Sequence, residues 1–592
     1  MSKSLGDYIV DRTESLNDNT INDYFISRND GKIVRLLDSE QYIFEGSRGI
    51  GKTMLMRFAE IQAKKDFNKE SVLAVWISFE ESLNLERISI IDSKAADPFL
   101  QWTMGKILLE TLKKIISLKP SCENELSERL SKIFNRTITD KVERYEHYSN
   151  LLNTYVEVLQ QGDIKSNDEL NEKTPSLELM NILDNPSSFK EFLLSICKEF
   201  ELQRIVFLFD EAAHVFSSSQ QEKFFTLFKS LRNPQIACKA AVYPGITNYG
   251  KYFEKGQDAK ELRIDWTPNN ETDVDYINKI LKVRIQKNNQ EYWNILTKNK
   301  DIINTICICS NGNPRFAFHI IDELDNINAF KKKTISNTQL IGVIRKVFDN
   351  KWKEFSTLQE RMPKYKSYIK EAELFIKEVI VPNLRNWNIK RRDGSKKLSS
   401  GFYIETVAYD KIHEIFDILA YYNIITINYS KKSLGKGGYY GYYITLNPSI
   451  LFSDLIIKDV QEISDMSIAI ENNQAYFMST TQIQELCNKV KIQNEYKCNN
   501  KNCTFKTSEE YNFCPICGSK IEKEEEVSLY KILRSHSIDN LGLSDFIKDK
   551  LKSKFNTIGE IQDASPDEIR MRQIQDVRID KIKNAVTEYM AG

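Results

Sequence analysis

At 592 residues the chain is too long for one ordinary domain, and its 41% hydrophobic and 28% charged content with only 13 prolines excludes a fibrous or disordered polymer. Lys plus Arg and Asp plus Glu both total 83, so the molecule is no bulk polycation, and any nucleic-acid contact must come from a local patch. No run of about 18 apolar residues occurs and the opening MSKSLGDYIVDRTESLND has no signal-peptide core, which predicts a cytoplasmic chain with no membrane partner.

In chain order, residues 41–45 followed by a Gly-rich stretch and the apolar-periodic MLMRFAEIQ read as strand, loop and helix. A second buried strand is expected over 72–78. From about 84 to 200 the pattern is helical and polar, with LETLKKIISL and EFLLSICKEF as amphipathic pieces, and reads as a large insertion with no assignable role. Residues 204–209 carry, after Arg204, a continuous apolar run ending in Asp210-Glu211, as expected of a central parallel strand covered on both faces. A further strand, 237–243, ends at Pro244-Gly245. Beyond Trp266 the reading is helical through 350, broken at Ser310 to Arg315. A helix over 409–421 and a hairpin over 424–446 close the next unit. A polar helical stretch, a cysteine cluster, a Lys/Glu linker near 520–526 and a terminal helical segment follow.

Gly46-Ser47-Arg48-Gly49-Ile50-Gly51-Lys52-Thr53 fits the Walker A pattern for ATP and Mg2+. Its glycines let consecutive N–H groups turn toward phosphates, Lys52 would neutralise the β/γ charge and Thr53 would ligate magnesium. Asp210 is the expected second magnesium residue, and Glu211 would orient and activate the attacking water, which implies hydrolysis as well as binding.

GSRGIGKT, IVFLFDEAAHVF and SNGNPRFAFHII together resemble the AAA+ ATPases, specifically the initiator clade of origin-recognition and replication-licensing ATPases, over about residues 20–350. The resemblance implies an α/β fold, a parallel-sheet P-loop AAA+ core with a helical lid, and gives Arg315 the place of the sensor-2 arginine at the start of a lid helix. It implies a polar sensor 1 near Tyr243-Pro244-Gly245, with Thr247 or Asn248 as the expectation, and an arginine finger at Arg263 or Arg232 for a nucleotide-dependent homo-oligomer. The expected domains are a core over 1–268 with the insertion at 84–200, a lid over 269–350, a winged helix over 351–455, a helical linker over 456–494, a zinc ribbon over 495–523 and a helix-hairpin-helix-like unit over 530–592.

In the winged-helix reading, 409–421 takes the recognition position. Lys431, Lys432 and Lys436 with Tyr439, Tyr440, Tyr442 and Tyr443 line the wing, and an upstream loop offers Lys390, Arg391, Arg392, Lys396 and Lys397 to DNA phosphates. The helix is poor in base-reading side chains, so protein contacts are the other reading. Cys498, Cys503, Cys514 and Cys517 offer four thiolates in two pairs, as structural Zn2+ requires, and resemble a zinc ribbon. The segment from Ser537 to Lys583 resembles the C-terminal domain of the RNA polymerase α subunit. Ile574 to Arg578 stands where that family's hairpin glycines approach phosphate, which favours protein docking at least as much as DNA. An ATP-dependent switch or motor acting with DNA, in an antiviral or mobile-element setting with any effector chemistry supplied by a protein partner, is the first expectation. An ATP-set assembly scaffold is the second.

Overall fold

The computed structural model describes residues 13, 16–28, 31–79, 97–134, 144–161, 176–212, 218–264, 266, 271–361, 366–394, 398–433, 440–464, 466, 476–478, 496–498, 500, 503, 506–507, 513–523, 533–572, 574 and 576–590. Five parallel strands form the central sheet: β1 (Tyr42–Glu45), β2 (Val72–Ser78), β3 (Arg204–Asp210), β4 (Ile236–Val242) and β5 (Lys260–Arg263). Their order is β2-β3-β4-β1-β5, which puts β1 and β3 on either side of β4 and brings their carboxyl ends to one edge. Side chains alternate across a strand, so Ile205, Phe207 and Phe209 enter one apolar layer while Val206 and Leu208 enter the other. The same alternation carries Asp210 to the side of Val206 and Leu208.

On that side lie α1 (Asp18–Tyr24), α2 (Lys32–Leu37) and α3 (Lys52–Glu70), with Leu36, Met56, Ala59 and Ala63 packed on the strands. The opposite layer is aromatic: Phe209 lies 5.9 Å from Phe79 and 5.2 Å from Phe224, and Phe79 lies 5.7 Å from Trp102. Trp102 belongs to α4 (Pro98–Leu118), inside the block expected as an insertion. That block also holds α5 (Glu123–Ile133), α6 (Arg144–Gln161), α7 (Leu177–Leu183) and α8 (Pro186–Glu199). Its first helix shares the core of β2 and α9 (Ser218–Ser230), and the block therefore builds one covering layer of the sheet. A parallel sheet needs both faces covered, which is why these apolar stripes do not form a separate body.

Helices α10 (Glu271–Leu281), α11 (Gln290–Thr297), α12 (Lys300–Cys309) and α13 (Pro314–Asn326) follow. Next comes α14 (Asn337–Arg361), which runs through position 350 and joins the lid to the following unit. That unit contains α15 (Lys366–Leu374), α16 (Val381–Asp393), β6 (Gly401–Glu405), α17 (Thr406–Asp410), α18 (His413–Tyr421), β7 (Ile425–Ser433) and β8 (Tyr440–Leu446). The helix expected over 409–421 is thus two helices. The hairpin of β7 and β8 is antiparallel, β8 pairs with β6, and Gly401 lets these two backbones meet where a Cβ would fall 2.0 Å from Ile444 O. Helices α19 (Pro448–Ser453) and α20 (Val460–Ser464) lead to β9 (Tyr476–Phe477), which pairs with β6, so part of the expected linker completes this sheet.

The cysteine segment is a three-stranded antiparallel sheet of β10 (Tyr496–Cys498), β11 (Lys506–Thr507) and β12 (Ile521–Lys523). The tail packs α21 (Asp545–Lys552), α22 (Ile558–Asp563), α23 (Pro566–Ile569) and α24 (Asp576–Met590) around Leu551, Ile558, Ile569 and Ile582.

Candidate nucleotide site

The loop between β1 and α3 turns sharply because Gly49 and Gly51 take φ of +81° and +97°, a region that side chains strongly disfavour. At Gly49 a Cβ would also fall 2.6 Å from the Asn313 side chain. Asn313 caps α13, accepting from Phe316 N–H at 3.2 Å, and its amide donates to Arg48 O at 2.9 Å. The start of the lid helix is thereby tied to the glycine-rich loop, and Arg315 is placed at the same end of that helix.

Lys52 is 5% exposed, and its ammonium donates to the carbonyls of Gly46 at 2.7 Å and Ser47 at 3.0 Å. Burial drives its pKa down to about 7, against the attraction of Glu211, Asp210 and Glu45. A buried ammonium held by carbonyls in a nest of turned amides is the chemistry of an anion site, and phosphate fits it. Asp210 is 1% exposed at the end of β3 on the α3 side, with Oδ1 accepting from Glu211 N–H at 3.1 Å. Asp210 and the Thr53 hydroxyl are the oxygen donors expected for magnesium, and both belong to this face of the sheet. Glu211 takes φ of +61°, a strained value for a residue with a side chain.

A family model described as ORC-CDC6-like matches residues 10–444. The chain belongs to the ORC-CDC6-like family. It is an ORC/Cdc6-like AAA+ ATPase by membership, with the parallel five-stranded sheet of that core. A solved structure described as the Aeropyrum pernix ORC2 protein in ADPNP-ADP complexes covers 75% of this chain and 92% of that chain. Its 10% identity and TM-score of 0.28 leave that likeness without weight. No curated protein matches this ORC-CDC6-like chain.

Two residues that sequence reasoning passed over belong to the ORC-CDC6-like site. Tyr243, directly after β4, donates its hydroxyl to Glu211 Oε1 at 3.1 Å and lies with its ring 3.8 Å from Lys52 Nζ. Its place at a strand end was legible, but a tyrosine does not fit the small polar pattern expected there. Lys351 of α14 has its pKa pushed down to about 8 by burial, opposed by Glu354 and reinforced by the nearby Arg48 and Arg315 guanidinium groups. Only the return of α14 brings it there. By contrast Thr247 closes its own turn, donating to Tyr243 O at 2.8 Å, and the Asn248 side chain accepts from Gly250 N–H at 3.0 Å. Arg263 lies on β5 and donates to Glu45 at 3.0 Å, with its guanidinium 4.2 Å from the Tyr429 ring; Arg232 donates to Gln257 O at 3.1 Å.

The cations expected in a loop upstream of the wing are placed otherwise. Lys390, Arg391 and Arg392 end α16, with Arg391 7% exposed and Arg392 donating to both Glu462 oxygens at 2.7 and 2.9 Å. Tyr443 is buried and Tyr442 packs on Tyr409, 5.0 Å away, while Tyr440 is exposed. Alternation puts Tyr442 on the face of Ile444 and Leu446 and Tyr443 on the other face, where its ring lies 5.0 Å from that of Tyr403, so both faces of this strand are covered. Lys396, Lys397, Lys436 and Tyr439 lie outside the described residues, as do the side chains of Lys431 and Lys432.

The four cysteine sulfurs lie within 4.8 Å of one another, with Cys498 and Cys517 at 3.4 Å and Cys503 and Cys514 at 3.7 Å. Tetrahedral Zn–S bonds of about 2.3 Å place sulfurs roughly 3.8 Å apart, so the donor set fits zinc. Gly518, at φ +68°, makes the turn that follows the second pair and donates to Cys514 O at 2.8 Å. Elemental analysis of protein purified without chelator is expected to find about one zinc per chain. A zinc-free chain with its fold intact would remove this site.

Proposed function

We propose that this ORC-CDC6-like protein is an ATP-binding and hydrolysing switch acting with DNA, in which nucleotide state sets the position of the unit carrying α18. The observation that supports it is the seat of α18 on the nucleotide loop. Arg48 N–H donates to Tyr421 O at 3.2 Å, and the Tyr421 ring lies 5.3 Å from Tyr243. Gly245, at φ +73°, meets Asp417 so closely that a Cβ would fall 2.7 Å from it. Asn423 donates to Asn311 O at 2.9 Å across the lid turn. A phosphate drawing on the loop amides competes with the Tyr421 carbonyl for Arg48, and differential contact of this kind is what couples a ligand to a conformational change.

In this reading Lys52 and the loop amides bind the triphosphate, Thr53 and Asp210 hold magnesium, Arg315 reaches the γ-phosphate from the lid, and Glu211 takes the proton of the attacking water. Magnesium supplies neutralisation of charge on the phosphates. The unit of α15 to β8 acts as a winged helix, freed to meet DNA when it leaves the loop. The helical block against β2 and the appended ribbon and tail suit an antiviral or mobile-element system with a protein effector. Arg391 turned inward and Arg392 paired with Glu462 favour a second reading, in which the same modules grip proteins and ATP sets assembly.

Steady-state ATP hydrolysis with and without duplex DNA, at two salt concentrations, separates the two. Stimulation that falls steeply between about 50 and 200 mM salt supports action with DNA. Turnover indifferent to DNA, with nucleotide-dependent assembly, supports the second. A chain that binds ATP without turning it over overturns the first, and one that does not bind ATP overturns both.

A further inference from the structure

The phenol at Tyr243 is the part of the site that the nucleotide motifs leave unexplained. It is 3% exposed and touches three functional elements at once: the Glu211 carboxylate through its hydroxyl, the Lys52 ammonium through its ring face, and Tyr421 of α18 through an edge-on ring contact. Lys52 is held by the Gly46 and Ser47 carbonyls, Arg48 N–H is held by Tyr421 O, and Glu211 sits in a strained backbone conformation with one carboxylate oxygen accepting from Tyr243. A phenol that donates to a carboxylate oxygen fixes the direction of the group and occupies an oxygen that a water would need, which opposes its use as a general base.

We infer that Tyr243 is a positioning residue that holds the Glu211 carboxylate in a resting orientation while Tyr421 is seated against it, so that docking of α18 restrains ATP turnover. The inference rests on the ATPase reading above. Burial beside Glu211 and Asp210 keeps the phenol pKa well above its usual 10, so Tyr243 remains a donor throughout the working pH range. Because the ring is packed against Tyr421 as well as against Lys52, moving α18 removes one of its two restraints, and a freer ring frees the carboxylate.

Tyr243→Phe keeps the ring and its packing and removes only the hydroxyl. Without DNA or partner, the variant is expected to raise kcat for ATP about tenfold, the loss of one hydrogen bond to a charged group, with KM within about twofold and a melting temperature lowered by no more than about 5 °C. The effect must run through Glu211, so in a Glu211→Gln background the same change should leave single-turnover rates unaltered. A kcat that is unchanged or lower in Tyr243→Phe overturns the restraint while leaving the ATPase reading intact, as does an equal gain in the Glu211→Gln background. Wild-type protein that binds ATP but never turns it over overturns the ATPase reading and this inference together.

Discussion

Glu211→Gln is expected to lower the single-turnover rate of ATP hydrolysis by on the order of 10²–10⁴-fold, the usual contribution of a positioned general base, while ATP affinity stays within about threefold. The two side chains have the same shape, and the glutamine carbonyl can still accept from the Tyr243 hydroxyl that meets Glu211 at 3.1 Å. The left-handed backbone at φ +61° is unaffected by an exchange beyond Cβ. What is lost is the capacity to take a proton from water. The variant should therefore accumulate with ATP bound, detected as slow release of a fluorescent ATP analogue together with unhydrolysed nucleotide after denaturation. Full turnover in this protein would remove Glu211 from the chemistry and shift attention to water held elsewhere near Asp210.

Lys52→Ala is expected to weaken ATP binding by roughly 100-fold or more, from the loss of a charge-assisted contact to phosphate in a desolvated setting. The same substitution should not unfold the protein. With its pKa depressed to about 7 in the folded chain and near 10.5 when exposed, Lys52 binds fewer protons folded than unfolded, so its burial destabilises the fold below about pH 10 and does so most fully below 7. Alanine relieves that term at the expense of a small cavity. Binding reports the other side of the linkage: the ammonium form recognises phosphate, so wild-type affinity should hold below about pH 7 and decline toward a limit of about tenfold per unit above it. The alanine variant should show no such slope. Calorimetric titrations of both proteins between pH 6 and 9 check this, and equal affinities of the two at pH 7 would discard the phosphate role of Lys52.

How much of the site was legible depends on how local its cause is. Gly46 to Thr53 announced a turned loop before a helix because the conformations needed, at Gly49 and Gly51, are those only glycine takes readily. The apolar run into Asp210 announced a central strand because a strand covered on both faces has no polar side to display. The cysteines announced their cluster by spacing, and their sulfurs meet within 4.8 Å. The fifth strand, Lys260–Arg263, gave no such sign, since KELR is polar at a sheet edge and gains its place by pairing with β1. The helical block of 84–200 read as an insertion because its apolar stripes are local facts, whereas the sheet face they cover is not.

Tyr243, Lys351 and Tyr421 show the same division inside the site. Each is far in sequence from Lys52, and none carries a motif, so their convergence on the phosphate loop comes from chain paths: the end of β4, the long return of α14 and the seat of α18. The basic run at Lys390 to Arg392 shows the converse, where composition suggested a phosphate-facing patch but packing buries Arg391 and Glu462 pairs with Arg392. The sequence by itself determined the nucleotide loop, its acidic partners, the family core and the cysteine cluster, because backbone conformation, strand periodicity and ligand type are written in adjacent residues. Only the tertiary structure decided that a helix beyond the lid rests on that loop and that a tyrosine links it to Glu211, because such contacts depend on where distant elements meet and on which buried groups must then satisfy one another.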